Sequence, residues 1–316
     1  MRAEQYLAPE TLAQLGPFEV RAKRIAEGVM SGMHRSPYQG LAVEFAEHRQ
    51  YVPGDPVRHI DWKVFGRSDK LYLKRFQQET NLDIHLLVDA SGSMRYGSLG
   101  RKAGWGGTRT ARDATWTKFD HATAAAAALA FLGLSQRDRV SASMFGPTTV
   151  AQTRCSNAQG HWRAVVKCLA TAPVDGRADL VRAVDELLAR APHRALVVVI
   201  SDFLMPSARV REALARLRHR GHDAVLLRVL DRHEIRFDID DDAPFDGMEG
   251  EGEVQVDARA VRAAYLEVLH EDERALDRLS IGFGFDLVRM DTHESVGPAL
   301  AALLSRRERM LHGGGG

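Results

Sequence analysis

Between Pro192 and the pair Ser201-Asp202 runs RALVVVI, residues 194–200, a continuous apolar stretch rich in β-branched side chains. It does not alternate, so neither of its faces can meet water. Such a run suits a central parallel strand covered on both sides. Parallel neighbours need long crossovers, and the rest of the chain supplies them. Strands are expected at 82–89 (LDIHLLVD), 139–145, 149–153, 224–230 and 285–290. Between and after them helices are expected at 118–134, 161–170, 179–191, 210–220, 258–279 and 296–310. Helix 179–191 carries Leu180, Val184, Leu187 and Leu188 on one face. This alternation predicts an α/β fold with a doubly wound, mostly parallel sheet. Two stretches interrupt it, at about 97–117 and 232–256.

The first 80 residues follow different rules. Residues 1–35 read as a helical or irregular lead-in. Residues 36–80 hold turn formers, among them Pro37, Gly40, Pro53-Gly54-Asp55 and Gly66, with short strands such as 71–76. The expected division is a small β-containing region over 1–80 and the α/β domain over 81–312.

Composition excludes several classes. Basic and acidic residues nearly cancel, 43 against 42, which argues against wholesale attraction to nucleic acid or to an anionic membrane. Two cysteines, Cys155 and Cys168, are too few for a disulfide framework. The first ten residues lack the apolar core of a secretory signal. The longest apolar stretch, 122–134, is alanine-rich and shorter than the ~20 residues of a membrane span. These features lead to the expectation of a soluble, cytoplasmic protein.

Asp89-Ala90-Ser91-Gly92-Ser93-Met94 closes the strand 82–89. Ligands of open α/β sheets bind at the carboxyl ends of strands, where successive crossovers leave in opposite directions. Asp89, Ser91 and Ser93 alternate with other residues, so one tight turn can aim three oxygens inward. Asp202 ends the strand 194–200 on what should be the same rim. A carboxylate and hydroxyl set is hard and oxygen-only, which suits magnesium or manganese.

This pattern resembles the metal-ion-dependent adhesion site of von Willebrand factor A domains. The upstream residues resemble the signature of a bacterial family, domain of unknown function 58. They are His34-Arg35-Ser36-Pro37, Gly40, Glu44-Phe45, Arg49 to Asp55, Arg58 and Ile60-Asp61-Trp62, continued by Arg67, Phe76 and Glu79. The similarity runs from about residue 6 to about residue 310. The resemblance implies an A-type core with metal ligands Asp89, Ser91, Ser93 and Asp202, and a partnership with a MoxR-type AAA+ ATPase. It also implies a protein that binds rather than catalyses, the ion being completed by an acidic side chain of a client. One position departs from the pattern. Ala178, in Gly176-Arg177-Ala178-Asp179, stands where a threonine hydroxyl is usual. A water or Asp179 could take its place, and Arg177 beside it opposes a cation or pairs with Asp202. Two other readings are a metal-dependent hydrolase of phosphoester type using Asp89 and Asp202, and a metal-free scaffold.

Other residues have plainer readings. Insertion 97–117 interleaves Arg101, Lys102, Arg109 and Arg112 with Trp105 and Trp116. It reads as a Gly-rich surface loop, with a lid, a partner contact or nucleic acid as alternatives. Asp238, Asp240, Asp242 and Glu249 mimic a calcium-loop spacing, but Ala243 replaces the turn glycine, and an acidic hairpin fits better. Arg49, Asp55, Arg58, Asp61 and Trp62 read as structural. His219 and His222, at a helix end, read as surface residues, and no nucleophile elbow, phosphate loop or paired-histidine motif occurs.

Overall fold

The computed structural model describes residues 42–50, 62–68, 71–79, 82–100, 115–238, 244–247, 252–255 and 257–313. They form two compact units, divided between Leu82 and Asp83.

The smaller unit, Ser36–Leu82, contains β1 (Ala42–Gln50), α1 (Trp62–Ser68) and β2 (Tyr72–Glu79). β1 and β2 pair antiparallel, and a bulge between Phe45 and Glu47 shifts their register. Gly40, Asp55, Arg58 and Asp61 of the expected family signature, and the earlier His34 to Pro37, lie outside the described residues.

The larger unit runs in chain order through β3 (Asp83–Asp89), β4 (Leu99–Gly100), β5 (Thr115–Trp116) and α2 (Lys118–Ser135). There follow β6 (Arg139–Phe145), β7 (Thr149–Gln152), α3 (His161–Leu169), α4 (Leu180–Leu188), β8 (Leu196–Ser201) and α5 (Ser207–His219). The unit ends with β9 (Asp223–Leu230), α6 (Arg232–Arg236), β10 (Pro244–Gly247), β11 (Gly252–Gln255), α7 (Ala258–Phe283), β12 (Asp286–Asp291) and α8 (Val296–Gly313). Six strands make one sheet in the order β12-β9-β8-β3-β6-β7. All its pairings are parallel except β6 with β7. The expected mixed α/β fold with a mostly parallel sheet is therefore present. The antiparallel edge is an addition to that expectation: three residues separate Phe145 from Thr149, enough for a hairpin and far too few for a crossover.

Chain order explains why one spot on this sheet is special. From β3 the chain crosses to β6 on one side, then returns through α3 and α4 to β8 on the other side of β3. Crossovers thus leave in opposite directions between β3 and β8, which opens the rim at their carboxyl ends. The register sets Val88 beside Ile200, so the residues that follow each strand emerge together.

Both faces of the sheet are covered. On one, α2 is buried along nearly its whole length because alanine dominates residues 122–130. Its backbone can therefore lie close to the sheet: a Cβ on Gly133 would stand 2.9 Å from Ile84 Cδ1 and 3.1 Å from Val140 Cγ2. On the other, Leu180, Val184 and Leu187 of α4 and Val210, Leu214 and Leu217 of α5 pack with Leu87, Val197, Val199 and Leu226. The expected apolar face of α4 is the one buried, with Leu188 at its margin.

Inside the interrupted stretch 232–256 lie α6 and the antiparallel pair β10–β11. Asp240, Asp242 and Glu249 lie outside the described residues. Insertion 97–117 is closed at its base by β4 pairing with β5, and residues 101–114 lie outside the described residues. Trp116 is not available for base stacking. It is 2% exposed, and its Nε1 donates to His121 Nδ1 at 3.3 Å.

Candidate functional site

The turn after β3 begins with a carboxylate sealed from water. Asp89 is fully buried, Oδ1 accepts from the Ser91 backbone N–H at 2.9 Å, and Oδ2 accepts from Ser201 Oγ at 2.6 Å. Burial first, and then the neighbouring Asp202 carboxylate, push Asp89 up to about 7 against its usual 3.8. Ser91 Oγ lies 3.3 Å from Ser93 Oγ, and the Ser93 side chain is near enough to the Asp202 carboxylate to help hold its pKa down. The four residues singled out in the sequence, Asp89, Ser91, Ser93 and Asp202, therefore meet at the carboxyl edge between β3 and β8.

Local backbone geometry fixes Asp202. The next residue, Phe203, has φ +56° in the left-handed region that a bulky side chain rarely adopts. Burial of the Phe203 ring (1% exposed) and a 2.9 Å bond from its N–H to Ser201 Oγ hold it there. The resulting turn lets Leu204 N–H donate to Asp202 Oδ1 at 3.1 Å. Strain of this kind costs about 1–3 kcal/mol and persists where surrounding contacts over-determine the conformation.

The other oxygen of Asp202 belongs to a residue that sequence reasoning missed. Lys118, the first residue of α2, is fully buried and donates from Nζ to Asp202 Oδ2 at 2.8 Å and to Glu234 Oε1 at 2.7 Å. Burial alone would lower the Lys118 ammonium, but the two carboxylates outweigh it and hold it above its ordinary value. Burial likewise works to raise Asp202, and Lys118 overcomes it, so Asp202 stays ionised and below its usual range. At Glu234 burial prevails and the carboxyl is raised. One signal for Lys118 was available. A lysine in the first turn of a helix opposes the helix dipole, so it needs a nearby carboxylate.

Glu234 is held by a capping box on α6: its Oε2 accepts from Asp231 N–H at 2.8 Å, and Asp231 Oδ1 accepts from His233 N–H at 3.0 Å. Asp231 also ties the rim together. Its oxygens accept from Ser98 Oγ at 2.5 Å, Ser98 N–H at 3.1 Å and Thr292 Oγ1 at 2.7 Å. Burial would raise Asp231, but these donors keep it low. Asp89, Asp202, Asp231 and Asp291 thus mark the carboxyl ends of β3, β8, β9 and β12.

Contacts bear on two of the sequence alternatives, the first being Asp179 as a replacement ligand. It caps α4, accepting from Arg182 N–H at 3.1 Å, and pairs with Arg209 at 2.9 Å. Asp202 is paired with Lys118. Ala178 lies in the loop that reaches the turn, where Gly176 (φ +93°) accepts from Gly92 N–H at 3.1 Å. No hydroxyl replaces it at this position, so the loop offers only backbone there. His222 is also corrected: it is buried at the start of β9, because the strand begins one residue later, while His219 is exposed.

As a cation site the donors fit in type. They are hard oxygens from two carboxylates and two hydroxyls, and mutual repulsion of Asp89 and Asp202 favours a positive charge between them. The buried ammonium of Lys118 already supplies part of that charge to Asp202.

A mixed α/β protein with a mostly parallel sheet and a carboxylate-rich rim at its switch point is the class that these observations define. Within that class, the chain belongs to the family described as Protein of unknown function DUF58, whose model matches residues 47–275. The match is shorter than the span of about 6–310 expected from the resemblance. Uncharacterized proteins of Mycobacterium tuberculosis and Mycobacterium bovis are 30% identical to it over 230 residues, covering 72% of this chain and 67% of theirs. Among solved structures, a conserved hypothetical protein BatB from Bacteroides thetaiotaomicron is similar, at 16% identity and TM-score 0.44. That alignment covers 71% of this chain and 98% of BatB. An aerotolerance-related membrane protein from Bacteroides fragilis is 13% identical, with TM-score 0.42 over 72% of this chain and 99% of its own. An uncharacterized membrane spanning protein from Vibrio fischeri is 14% identical, with TM-score 0.24 over 72% of this chain and 99% of its own.

The expectation of a cytoplasmic protein is withdrawn, and two of the similar structures are themselves described as membrane proteins. No helix among the described residues is long and apolar enough to cross a membrane. Balanced charge and few cysteines report only that a domain meets water, which does not fix its compartment.

Proposed function

We propose that this protein is a von Willebrand factor A-type, metal-assisted protein-interaction module, acting as an adaptor or cofactor of a MoxR-type AAA+ ATPase and not as an enzyme. The observation that carries this reading is the convergence of Asp89, Ser91, Ser93 and Asp202 at the switch point of the sheet. The strand order, with one antiparallel edge beside β6, supports the A-type assignment. Magnesium or manganese held by these residues would offer a coordination position to an Asp or Glu of a partner. Ser201 fixes one oxygen of Asp89, and the Phe203 turn fixes one of Asp202, so the protein side of such a site is prepared in advance. The ATPase partnership rests on the resemblance of the upstream signature.

The test is co-purification of the full chain with its ATPase partner, with and without chelator. Asp89→Ala and chelation should each abolish recovery of the partner while the circular dichroism spectrum is unchanged. Recovery that survives both treatments would overturn the reading. Magnesium-dependent turnover of a phosphoester panel, lost in Asp89→Ala, would overturn the non-enzymatic part.

Two observations favour a second reading, a metal-free scaffold: Lys118 already neutralises Asp202, and Ala178 stands where a hydroxyl is usual. Calorimetry separates the two, since a scaffold releases no heat with millimolar magnesium or manganese.

A further inference from the structure

At the opposite end of β3, on the amino edge of the sheet, lies a second group with metal-ligand chemistry. A carboxylate oxygen of Asp83, a ring nitrogen of His85 and Sγ of Cys155 all lie within 4.8 Å of one another. We propose that these three residues bind a divalent transition ion of the zinc class, with water in the fourth position.

The placement follows from strand register. Asp83 and His85 are two apart on β3 and share one face of the sheet. The register puts them beside Arg139 and Ser141 of β6. Past β7 the chain still runs antiparallel to β6, with Ser156 bridged to Val140, and this brings Cys155 alongside. Neither Asp83 nor Cys155 is buried, so an ion and its water have access.

The donor set is chemically selective. One nitrogen, one sulfur and one oxygen match the mixed sets that hold zinc, whereas magnesium and calcium prefer oxygen alone. Tetrahedral zinc at its usual bond lengths separates its ligands by about 3.3–3.7 Å. Side-chain rotations at the two partly exposed ligands would close the group around an ion.

His85 adds an independent sign of a missing partner. It is 4% exposed, its Nδ1 lies 2.6 Å from Ser141 Oγ, and its Nε2 is buried without a hydrogen-bond partner. A buried polar nitrogen left unsatisfied needs an explanation, and a bound ion is one that the neighbouring Asp83 and Cys155 make specific here. The Ser141 hydroxyl plays the orienting part that outer-shell groups play for metal-bound histidines. Charge permits the site. Arg139 Nη1 contacts both Asp83 oxygens at 3.0 and 3.2 Å and can keep one while the ion takes the other. A thiolate and a carboxylate would offset the cations that face the group, Arg139, Arg190 and His222 when protonated. Binding would release the thiol proton of Cys155 to water and form the metal–sulfur bond, with no change in oxidation state.

Cobalt(II) titration of the full chain tests this. One equivalent should produce tetrahedral d–d bands and a thiolate-to-cobalt charge-transfer band, and zinc should displace both. Cys155→Ser should lose the charge-transfer band, while Asp89→Ala should retain it. Ser141→Ala should keep the band and weaken affinity by about 10- to 100-fold. Absence of the band in the wild-type chain at millimolar cobalt, or its persistence in Cys155→Ser through Cys168, would overturn the site. If Cys155→Ser fails to fold, the wild-type chain decides. Zinc should slow alkylation of Cys155 at least tenfold, and an unchanged rate would overturn the proposal.

Discussion

Lys118 keeps a full positive charge away from water because Asp202 and Glu234 both meet it. Removing one partner of such a group leaves buried charge uncompensated, which typically costs about 3–5 kcal/mol. Lys118→Met should therefore destabilise the protein by that order in urea unfolding, and a loss below about 1 kcal/mol would show the carboxylates to be solvated. His85 gives a pH-dependent counterpart. Burial, then His222, Arg190 and Arg139, lower its pKa from 6.5 to about 4. Its contribution is complete above pH 6.5 and is lost as the pH falls towards 4, because there the unfolded chain takes up a proton that the folded chain refuses. The shift corresponds to about 3 kcal/mol. Asp89, raised to about 7, runs the other way across the same window in metal-free protein. The measurement is therefore the difference between wild type and His85→Gln in chelator at each pH. Wild type should lose its advantage as the pH drops from 6.5 to 4.

At the scale of elements, caps and turns hold the rim together. The Thr117–Asp120 capping box starts α2, the Asp231–Glu234 box starts α6, and Asp179 starts α4. Asp179→Ala should cost about 1 kcal/mol and leave the magnesium response unchanged, because Asp179 serves the helix and Arg209. A changed magnesium response in calorimetry would place its carboxylate at the cation after all. Most elements were legible because their signals are local. The β-branched run before Ser201 and the single apolar face of α4 each lie within one stretch of chain. The hairpin of β6 and β7 was half-visible: its strands were expected, but their antiparallel pairing required noticing that three residues cannot cross over. The turn at Phe203 left no trace, since nothing in Asp202-Phe203-Leu204 favours a positive φ. Only the buried ring and the bond to Ser201 impose it.

For the whole molecule, a cation that binds only the folded chain must stabilise it by linkage. If Asp89, Ser91, Ser93 and Asp202 hold magnesium, stability should rise by about 2.7 kcal/mol at a hundredfold excess over Kd. Urea unfolding at increasing magnesium checks this, and Asp89→Ala should show no gain. Both cysteines are free, so reductant should leave the same curve unmoved. The sequence by itself determined the order and type of the main strands and helices of the α/β unit, and that two carboxylates would end apolar strands on one rim. Periodicity and turn chemistry act over a few residues and survive without context. Tertiary structure alone decided which charge meets Asp202, that Asp231 ties Ser98 to Thr292, and that Cys155 stands beside His85. Those partners come from distant parts of the chain, and only the strand order and the burial of their polar groups force them to find one another.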